Sequence, residues 1–270
     1  MNPVFVWWAA MSIVALVNVV LLALTARAVL GRGGEDASYH RRQLLLAAGY
    51  ALGCASRSVI LRADVQRFAM VDSFVGSVFV GRSIATAAEL CFAAQWTLLL
   101  SALAARSGDV PARVVSRVLF PVLALAECFS WSGVITTNYA GNMVEESLWG
   151  VAGALVLVAL LSLRRGAEPR WRRGLTIASV AVLGYVLYMA LVDVPMYFGR
   201  WRADEQAGRE YFGLRDGIAD SMRWVVTHRW EDWRPEVLWL SLYFTLGVWI
   251  SLGLVRLRLP GARGEPRAPA

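Results

Sequence analysis

The sequence contains no lysine, only two histidines and only three cysteines among its 270 residues. A seven-helix retinal photoreceptor needs a lysine to form a Schiff base with its chromophore, so the missing lysine excludes that class. His40 and His228 both lie in predicted loops, which leaves bis-histidine haem, di-iron and histidine-ligated zinc sites without their ligands. We therefore expect no retinal and no histidine-ligated haem or zinc.

The motifs of several enzyme classes are missing as well. Cys54, Cys91 and Cys128 fall inside apolar stretches without a CxxC pair, which is typical of small core residues. The sequence has no GxSxG nucleophile motif and no DDxxD or NDxxD motif. It therefore gives no support to a serine hydrolase or to an aspartate-rich diphosphate site.

Long apolar runs are what the chain has in place of these motifs. Hydrophobic residues make up 57% of the sequence, and the mean hydropathy of +0.51 exceeds that of ordinary soluble proteins. Seven stretches approach the roughly 20 residues that a helix needs to cross a hydrocarbon core. They lie near 4–27, 43–61, 78–104, 114–136, 144–163, 174–195 and 237–256. The sequence predicts an all-α, polytopic membrane protein with seven transmembrane helices in one domain, 1–258.

The distribution of arginine predicts the orientation of these helices. Cytoplasmic segments carry the excess of positive residues, and alternate connectors collect Arg27, Arg32, Arg41, Arg42, Arg106, Arg113, Arg117, Arg164, Arg165, Arg170, Arg172, Arg173, Arg256, Arg258, Arg263 and Arg267. This predicts an N-terminus outside and a C-terminus inside, with residues 259–270 as a disordered cytoplasmic tail. Arginine without lysine suggests a GC-rich genome, so we expect a multi-pass protein of a bacterial cytoplasmic membrane.

The connector 196–236 is the longest predicted outer loop. Its apolar residues Leu214, Ile218, Met222 and Val225 recur every three or four positions, which predicts an amphipathic helix on the outer membrane surface. Its tryptophans fit either an aromatic belt at the interface or a lid over an outward-facing cavity.

Polar residues interrupt spans three to six on the outer side. Arg82, Thr86 and Glu89 share one face of span three. The others are Glu127, Trp131 and Asn138 in span four, Asn142, Glu145, Glu146 and Trp149 at the start of span five, and Tyr188 and Asp193 near the end of span six. With the predicted orientation, the acids lie in the outer half of the membrane or near its midplane.

Charged residues at that depth need a partner or a function. A lone charge at a helix centre costs about 2.5–3.5 kcal/mol on insertion scales. Glu89 and Glu127 cannot both be charged there unless Arg82, Arg57 or a divalent cation neutralises them, or one of them holds a proton. A structural alternative exists for Arg82 and Glu89 as an ion pair, and for Glu145 and Glu146 as acids that complement a helix dipole.

These observations support three hypotheses. The first is a membrane-embedded enzyme or binding protein for a lipid or isoprenoid-like substrate, open to the extracytoplasmic side. Its acid–base residues would be Glu89, Glu127 and Asp193, and its binding residues Arg82, Thr86, Trp131, Asn138, Asn142, Glu145, Glu146, Trp149 and Tyr188, with Arg82 holding an anionic head group. The second is a proton-coupled transporter or a seven-helix sensor, and the third a structural subunit of a membrane complex. Membrane lipids are the expected partners, and nucleic acid is not.

Overall fold

The computed structural model describes residues 2–31, 34 and 36–260, and this part of the chain is mostly helical. Seven helices are long: α1 (Pro3–Leu30), α2 (Ala37–Val59), α3 (Val78–Ser107), α4 (Val110–Thr136), α5 (Tyr139–Arg165), α6 (Pro169–Gln206) and α8 (Trp230–Arg256). Helix α7 (Leu214–Ser221) is short. The described residues also form a 3-10 turn (Phe74–Gly76) and three two-residue strands, β1 (Arg62–Ala63), β2 (Phe68–Ala69) and β3 (Val225–Val226).

Six of the long helices, all except α2, are long and apolar enough to cross a membrane. The chain is therefore a multi-pass helical membrane protein. Helix α2 contains the predicted span 43–61 up to Val59, but Arg41, Arg42 and Arg57 lower its hydropathy. Large side chains such as Ile13, Leu45 and Ile177 are 63–75% exposed on the outside of the helices, as expected of surfaces that face lipid.

Local sequence explains where the helices begin and end. Asn2, Ser77 and Asp109 each accept a hydrogen bond from a backbone amide of the first turn that follows them, which satisfies one of the unpaired amides of a helix start. Gly108 adopts a left-handed conformation with φ +71° between α3 and α4, where glycine avoids the steric cost of a Cβ atom. The chain therefore reverses there within two residues.

Consecutive helices pack side by side from α1 to α6, and α8 returns to pack against α1 and α2. Two apolar cores result. The first joins α1, α2 and α8 through residues such as Tyr50 and Phe244, and the second joins α3, α4, α5 and the start of α6 through residues such as Leu100 and Leu160. Helix α6 packs mainly against α5, which leaves a space between α6 and α8.

Helix α6 differs from the prediction in length. We placed the end of span six at residue 195, yet the helix continues to Gln206 and has 38 residues. A π-helical turn, Met189–Asp193, precedes Pro195. Its wider backbone accommodates a proline ring that would otherwise clash with the carbonyl group of the preceding turn. The helix is about 57 Å long at 1.5 Å per residue, so it projects beyond a ~30 Å hydrocarbon core.

Residues 60–77 and 207–229 form a cap over one end of the helices. This is the end at which α6 projects. Strand β2 pairs antiparallel with β1 and parallel with β3, so the two segments form one small sheet. Arg67 fixes the cap by donating to the carbonyl oxygens of Asp64 and Val134 and to the carboxylate of Asp220, at 2.8–3.0 Å. One side chain thus joins the first cap segment, the end of α4 and α7.

Helix α7 is shorter than the amphipathic pattern suggests. It ends at Ser221, before Met222 and Val225, and Leu214 at its start is 69% exposed. Its contact with α4 is made by Gly217, where a Cβ atom would lie 2.2 Å from the carbonyl oxygen of Ile135. Most of the predicted disordered tail, residues 261–270, lies outside the described residues.

Candidate functional site

Arg82 lies at the centre of a buried cluster of charges near the cap end of the helices. Its Nη2 atom is 2.5 Å from Glu89 Oε2 on the same helix, 2.7 Å from Glu127 Oε2 on α4 and 3.7 Å from Glu145 Oε1 on α5. All four residues are less than a tenth exposed. One guanidinium group therefore joins carboxylates from three helices.

Neutral donors complete the shell around these carboxylates. Thr86 donates to Glu127 Oε2 at 2.6 Å and accepts from Trp131 at 3.1 Å. Tyr243 on α8 donates to Glu89 Oε1 at 2.8 Å. Asn142 donates to Glu145 Oε2 at 3.3 Å. Hydrogen bonds to the ionised form stabilise a buried carboxylate, so this shell lets some of the acids remain charged.

Arg57 in the last turn of α2 is the second cation of the site. Its Nη1 atom lies 3.7 Å from Glu89 Oε1, and its guanidinium group lies 5.5–5.6 Å from the ring centres of Tyr243 and Phe244, within the range of cation–π attraction. We refer to Arg57, Arg82, Glu89, Glu127 and Glu145 as the carboxylate cluster. If every member is ionised, its three carboxylates exceed its two guanidinium groups by one negative charge.

Glu127 carries a free oxygen in this cluster. Its Oε1 atom is buried without a hydrogen-bond partner among the described residues, although Oε2 accepts from both Arg82 and Thr86. A carboxylate oxygen in a dry, negatively charged surrounding favours a proton, because the proton removes the unpaired charge. Glu127 is thus placed to hold and release a proton at Oε1.

The carboxylate oxygens also have a spacing that a metal ion could use. One oxygen each from Glu89, Glu127 and Glu145 lies within 4.8 Å of the others. However, the Arg82 guanidinium group already contacts all three carboxylates. Its positive charge fills the position that a divalent cation would take, so the donor set supports an arginine-centred cluster.

Two π-helical turns flank the cluster, Met189–Asp193 in α6 and Tyr243–Gly247 in α8. Such turns are rare and occur often at functional sites, because they rotate side chains out of the regular helical register. The turn in α8 places Tyr243 against Glu89, and Asn18 of α1 donates to the carbonyl oxygen of Phe244 at 2.8 Å. The carbonyl group that the irregular turn frees is therefore satisfied.

The turn in α6 contains Asp193, which forms a second acidic group with Glu146. The Asp193 carboxyl lies near the Glu146 carboxyl and the Tyr188 hydroxyl and interacts with both electrostatically. No arginine of the described chain lies within 4 Å of either acid. Like charges disfavour the joint ionisation of two neighbouring acids, which favours a proton shared between them.

A cavity of about 1230 Å³ extends from this region between α6 and α8. At one end, the carboxylate end, its walls include Arg57, Arg62, Asp64, Arg82, Glu89, Tyr139, Glu145, Glu146, Arg200 and Glu236. Its middle is apolar, with Leu99, Leu123, Val156, Leu160, Val182, Leu246, Ile250 and Leu254. At the other end, the arginine end, it is lined by Arg170, Trp171, Arg256, Arg258 and Leu259.

The cavity is about as long as a hydrocarbon core is thick. Arg170 and Tyr188 line opposite ends on the same helix, and 18 residues of α-helix correspond to about 27 Å. Near Tyr188, α6 and α8 touch through the stacked rings of Tyr188 and Trp239, whose centres are 6.0 Å apart. Gly174 and Gly184 of α6 and Gly253 of α8 face the cavity, and a Cβ atom on any of them would meet nothing within 4 Å.

Arg62 of the cap forms part of the wall at the carboxylate end. Its guanidinium group lies against Gly81 of α3, where a Cβ atom would be 1.5–2.2 Å from three of its atoms. Burial lowers the pKa of Arg62 to about 10, because desolvation outweighs the attraction of Asp64, whose Oδ1 atom is 3.6 Å from Nε. Arg62 therefore stays charged at neutral pH.

The structure brings most of the predicted site residues together. Arg82, Glu89, Asn142, Glu145, Glu146, Trp149 and Tyr188 line the cavity. A chain of hydrogen bonds connects Arg82 to Glu127, Thr86 and Trp131, which do not line the cavity. Asp193 does not line it either, but interacts with Glu146. Asn138 does not line the cavity; its side chain accepts from the amide of Ala140 and caps α5.

Sequence reasoning missed several residues of the site. Tyr243 and Arg62 were not predicted, and Arg57 was considered only as a counter-ion. Tyr243 is 154 residues from Glu89 in the chain, so no local spacing connects them. The glycine at position 81, directly before Arg82, was the available signal for Arg62, since a glycine in a helix often marks a close approach.

A second, shallower space of about 700 Å³ lies between α3 and α4, lined by residues such as Thr97, Ser116 and Pro121, and contains none of the predicted site residues. No protein family model, curated protein or solved structure matches this chain.

Proposed function

We propose that this protein binds an amphiphilic, lipid or isoprenoid-like molecule in its cavity and modifies it by acid–base chemistry at the carboxylate end. The observation that carries the proposal is a single cavity with charged residues at the carboxylate end and an apolar middle. Apolar walls stabilise a hydrocarbon chain, and a few fixed polar groups orient its head group. Because the cavity lies between two helices that face lipid, a membrane molecule can enter it from the bilayer.

In this proposal Glu127 stores the proton at Oε1, which has no hydrogen-bond partner among the described residues. Glu127 does not line the cavity, so the proton reaches it through Glu145, a wall residue with a carboxylate oxygen within 4.8 Å of Glu127. Glu89 stays charged, because Arg82, Arg57 and Tyr243 all contact it. Three carboxylates contact Arg82, so in this proposal it positions the acids instead of holding an anionic head group. Asp193 and Glu146 form the rim of the proposed acid–base site.

The proposal includes seven spans, with the N-terminus outside and the C-terminus in the cytoplasm of a bacterial cell. Helix α2 lies between α1 and α3, both of which are apolar enough to span a membrane. Its 23 residues give about 34 Å, enough for a ~30 Å core. Buried hydrogen bonds with Gln95 satisfy the Gln43 side chain of α2. Hydropathy alone therefore underestimates how well α2 fits in a membrane.

Labelling of single cysteines tests this orientation. Cys54, Cys91 and Cys128 are replaced by alanine, and Glu210→Cys or Arg165→Cys is added, because both positions are exposed on opposite ends of the helices. A membrane-impermeant maleimide should label position 210 in intact cells and position 165 only after lysis. Labelling of position 165 alone in intact cells would reverse the orientation and overturn the outward-facing site.

Mass spectrometry of the lipids retained by protein purified in mild detergent tests the function. We compare wild type, a Glu89→Gln, Glu127→Gln double variant and Gly253→Leu. Leucine at position 253 has room at its Cβ atom and fills the apolar middle, and leucine favours a helix over glycine by about 0.5–1 kcal/mol. We expect one lipid to be enriched in the double variant, which binds without turnover, and to be lost in Gly253→Leu.

Identical bulk lipid in all three proteins, at matched thermal stability, would contradict the proposal. A second candidate is proton-coupled transport, and the extent of the cavity favours it, since charged residues lie at both ends. Proton flux into liposomes that responds to a lipophilic substrate and disappears in Glu89→Gln would support transport in place of chemistry.

A further inference from the structure

We propose that the arginine end of the cavity is a second binding site, which holds the anionic head group of a lipid from the adjacent membrane leaflet. The inference rests on the proposed amphiphile cavity and adds a site at its opposite end. The ligand class is a phospholipid with net negative charge, whose acyl chain lies in the apolar middle. None of the residues at this end belongs to the carboxylate cluster or to its acid–base chemistry.

The charge of the walls is the first observation. Arg170, Arg256 and Arg258 line this end. The acids that line the cavity, Asp64, Glu89, Glu145, Glu146 and Glu236, belong to the carboxylate end. Within residues 2–31, 34 and 36–260, none of the three arginines forms an ion pair. Three guanidinium groups around one mouth, with no ion pair to the described residues, favour a phosphate group, which arginine can bind with two parallel hydrogen bonds.

Contacts within the protein hold the Arg256 side chain and the backbone that follows it. Arg256 donates from Nε to Thr25 of α1 at 3.0 Å, which fixes its side chain. The segment after α8 is held by Arg106, whose guanidinium group contacts both the carbonyl oxygen of Pro260 and the carboxylate of Asp36. Arg170 lies in the first turn of α6. Arg170 and Arg256 thus come from helices on either side of the mouth, and Arg258 comes from the segment that follows α8.

The shape of the cavity supplies the second, independent observation. Directly inside the arginines lie Gly174 and Gly253, both with open space where a side chain would be. Beyond them the walls are apolar, with Leu175, Ile250 and Leu254 among their residues. A free phosphate ion would use only the mouth, whereas a phospholipid would use the mouth and the apolar space behind it. The continuous apolar space therefore favours a lipid.

Arginines near the cytoplasmic surface are common in membrane proteins, so the test must separate a site from general surface charge. The chain offers a matched control. Arg165 and Arg173 belong to the same connector region and are exposed, but they do not line the cavity. The Arg165→Gln, Arg173→Gln variant changes the net charge as much as Arg170→Gln, Arg258→Gln does.

Native mass spectrometry of the full chain in a neutral detergent measures binding of phosphatidylglycerol and phosphatidylcholine with identical acyl chains. We expect phosphatidylglycerol to bind about tenfold more tightly than phosphatidylcholine, and Arg170→Gln, Arg258→Gln to remove this preference. The matched control should change the affinity by less than about twofold. Thermal unfolding in the same detergent verifies that each variant is folded.

Three outcomes would overturn the inference. Equal losses in both double variants would show general surface charge, and displacement of the lipid by millimolar inorganic phosphate would show a site for the free anion. A phosphatidylglycerol preference that survives in Arg170→Gln, Arg258→Gln would place its origin elsewhere. Gly253→Leu separates the two proposals: if it leaves the binding of both lipids unchanged, the amphiphile cavity itself fails, together with the proposed function.

Discussion

Two polar layers join helices α2, α3 and α8. They differ in charge, in how completely their polar atoms are hydrogen-bonded, and in whether they line the cavity. The first, the glutamine layer, consists of Gln43, Gln95 and Ser251 with Tyr39. Gln95 donates to Gln43 Oε1 at 3.1 Å, Ser251 donates to Gln95 Oε1 at 2.5 Å, and Gln43 donates to the Tyr39 hydroxyl at 3.1 Å. The three central residues are fully buried and do not line the cavity.

The carboxylate cluster joins the same three helices through Arg57, Glu89 and Tyr243. It consists of ionisable residues, and all of them except Glu127 line the cavity. Among the described residues, Glu127 Oε1 and Arg82 Nε have no hydrogen-bond partner. A neutral layer with hydrogen-bonded polar groups is accounted for by the connection that it makes between the helices. A charged layer that leaves atoms unpaired beside a cavity is costly to keep, which favours a function.

The largest expected effect comes from Arg82→Gln. The substitution leaves Glu89, Glu127 and Glu145 close together without their central cation, which should cost about 3–5 kcal/mol of stability. Thermal unfolding in detergent measures the loss. The Arg82→Gln, Glu127→Gln double variant should recover part of it, because it removes one of the uncompensated charges. Equal stability of wild type and Arg82→Gln would show that the carboxylates are already protonated, and the contrast between the two layers would disappear.

The second prediction concerns the stability of the glutamine layer. Gln95→Leu removes the centre of the glutamine layer and leaves Gln43 and Ser251 with unpaired polar groups, at a cost of about 1–3 kcal/mol. The unfolding temperature should fall, whereas the lipids retained at matched temperature should not change, since Gln95 does not line the cavity. A changed lipid profile in this variant would mean that the glutamine layer also shapes the binding site.

Gly81→Ala tests the close approach of the cap to α3. The new Cβ atom would overlap the guanidinium group of Arg62, so Arg62 must move, at a cost of about 1–3 kcal/mol. Gly184→Ala is the matched control, because its Cβ atom would meet open space and alanine should stabilise the helix by about 0.5–1 kcal/mol. If both variants unfold at the same temperature, Arg62 does not pack against α3 as described.

The smallest effect on stability is expected from Glu127→Gln. The substitution replaces a carboxyl that holds a proton with a neutral amide of similar shape, and the amide oxygen can still accept from Thr86. The free energy of unfolding should change by less than about 1 kcal/mol, while the chemistry that needs a proton at Oε1 is lost. The same comparison of retained lipids measures this loss. A stability loss as large as that of Arg82→Gln would assign Glu127 a structural role.

Much of the fold follows from local sequence. The apolar runs, the capping residues Asn2, Ser77 and Asp109, and the arginine distribution are local or additive signals, and the helices begin near the positions that they indicate. The stripe of Arg82, Thr86 and Glu89 was predictable for the same reason, because the helical period places them on one face. The length of α6 was not, since a π-helical turn accommodates Pro195 and proline alone predicts an end.

The sequence by itself determined that polar residues are buried on the cap side of an apolar bundle, because hydropathy and helical period depend only on neighbouring residues. Tertiary structure decided which of them meet. The contacts of Arg82 with Glu127 and of Tyr243 with Glu89 cross 45 and 154 residues, and they depend on how helices rotate and pack. The cavity between α6 and α8 is likewise a property of packing, since it exists where two helices do not touch.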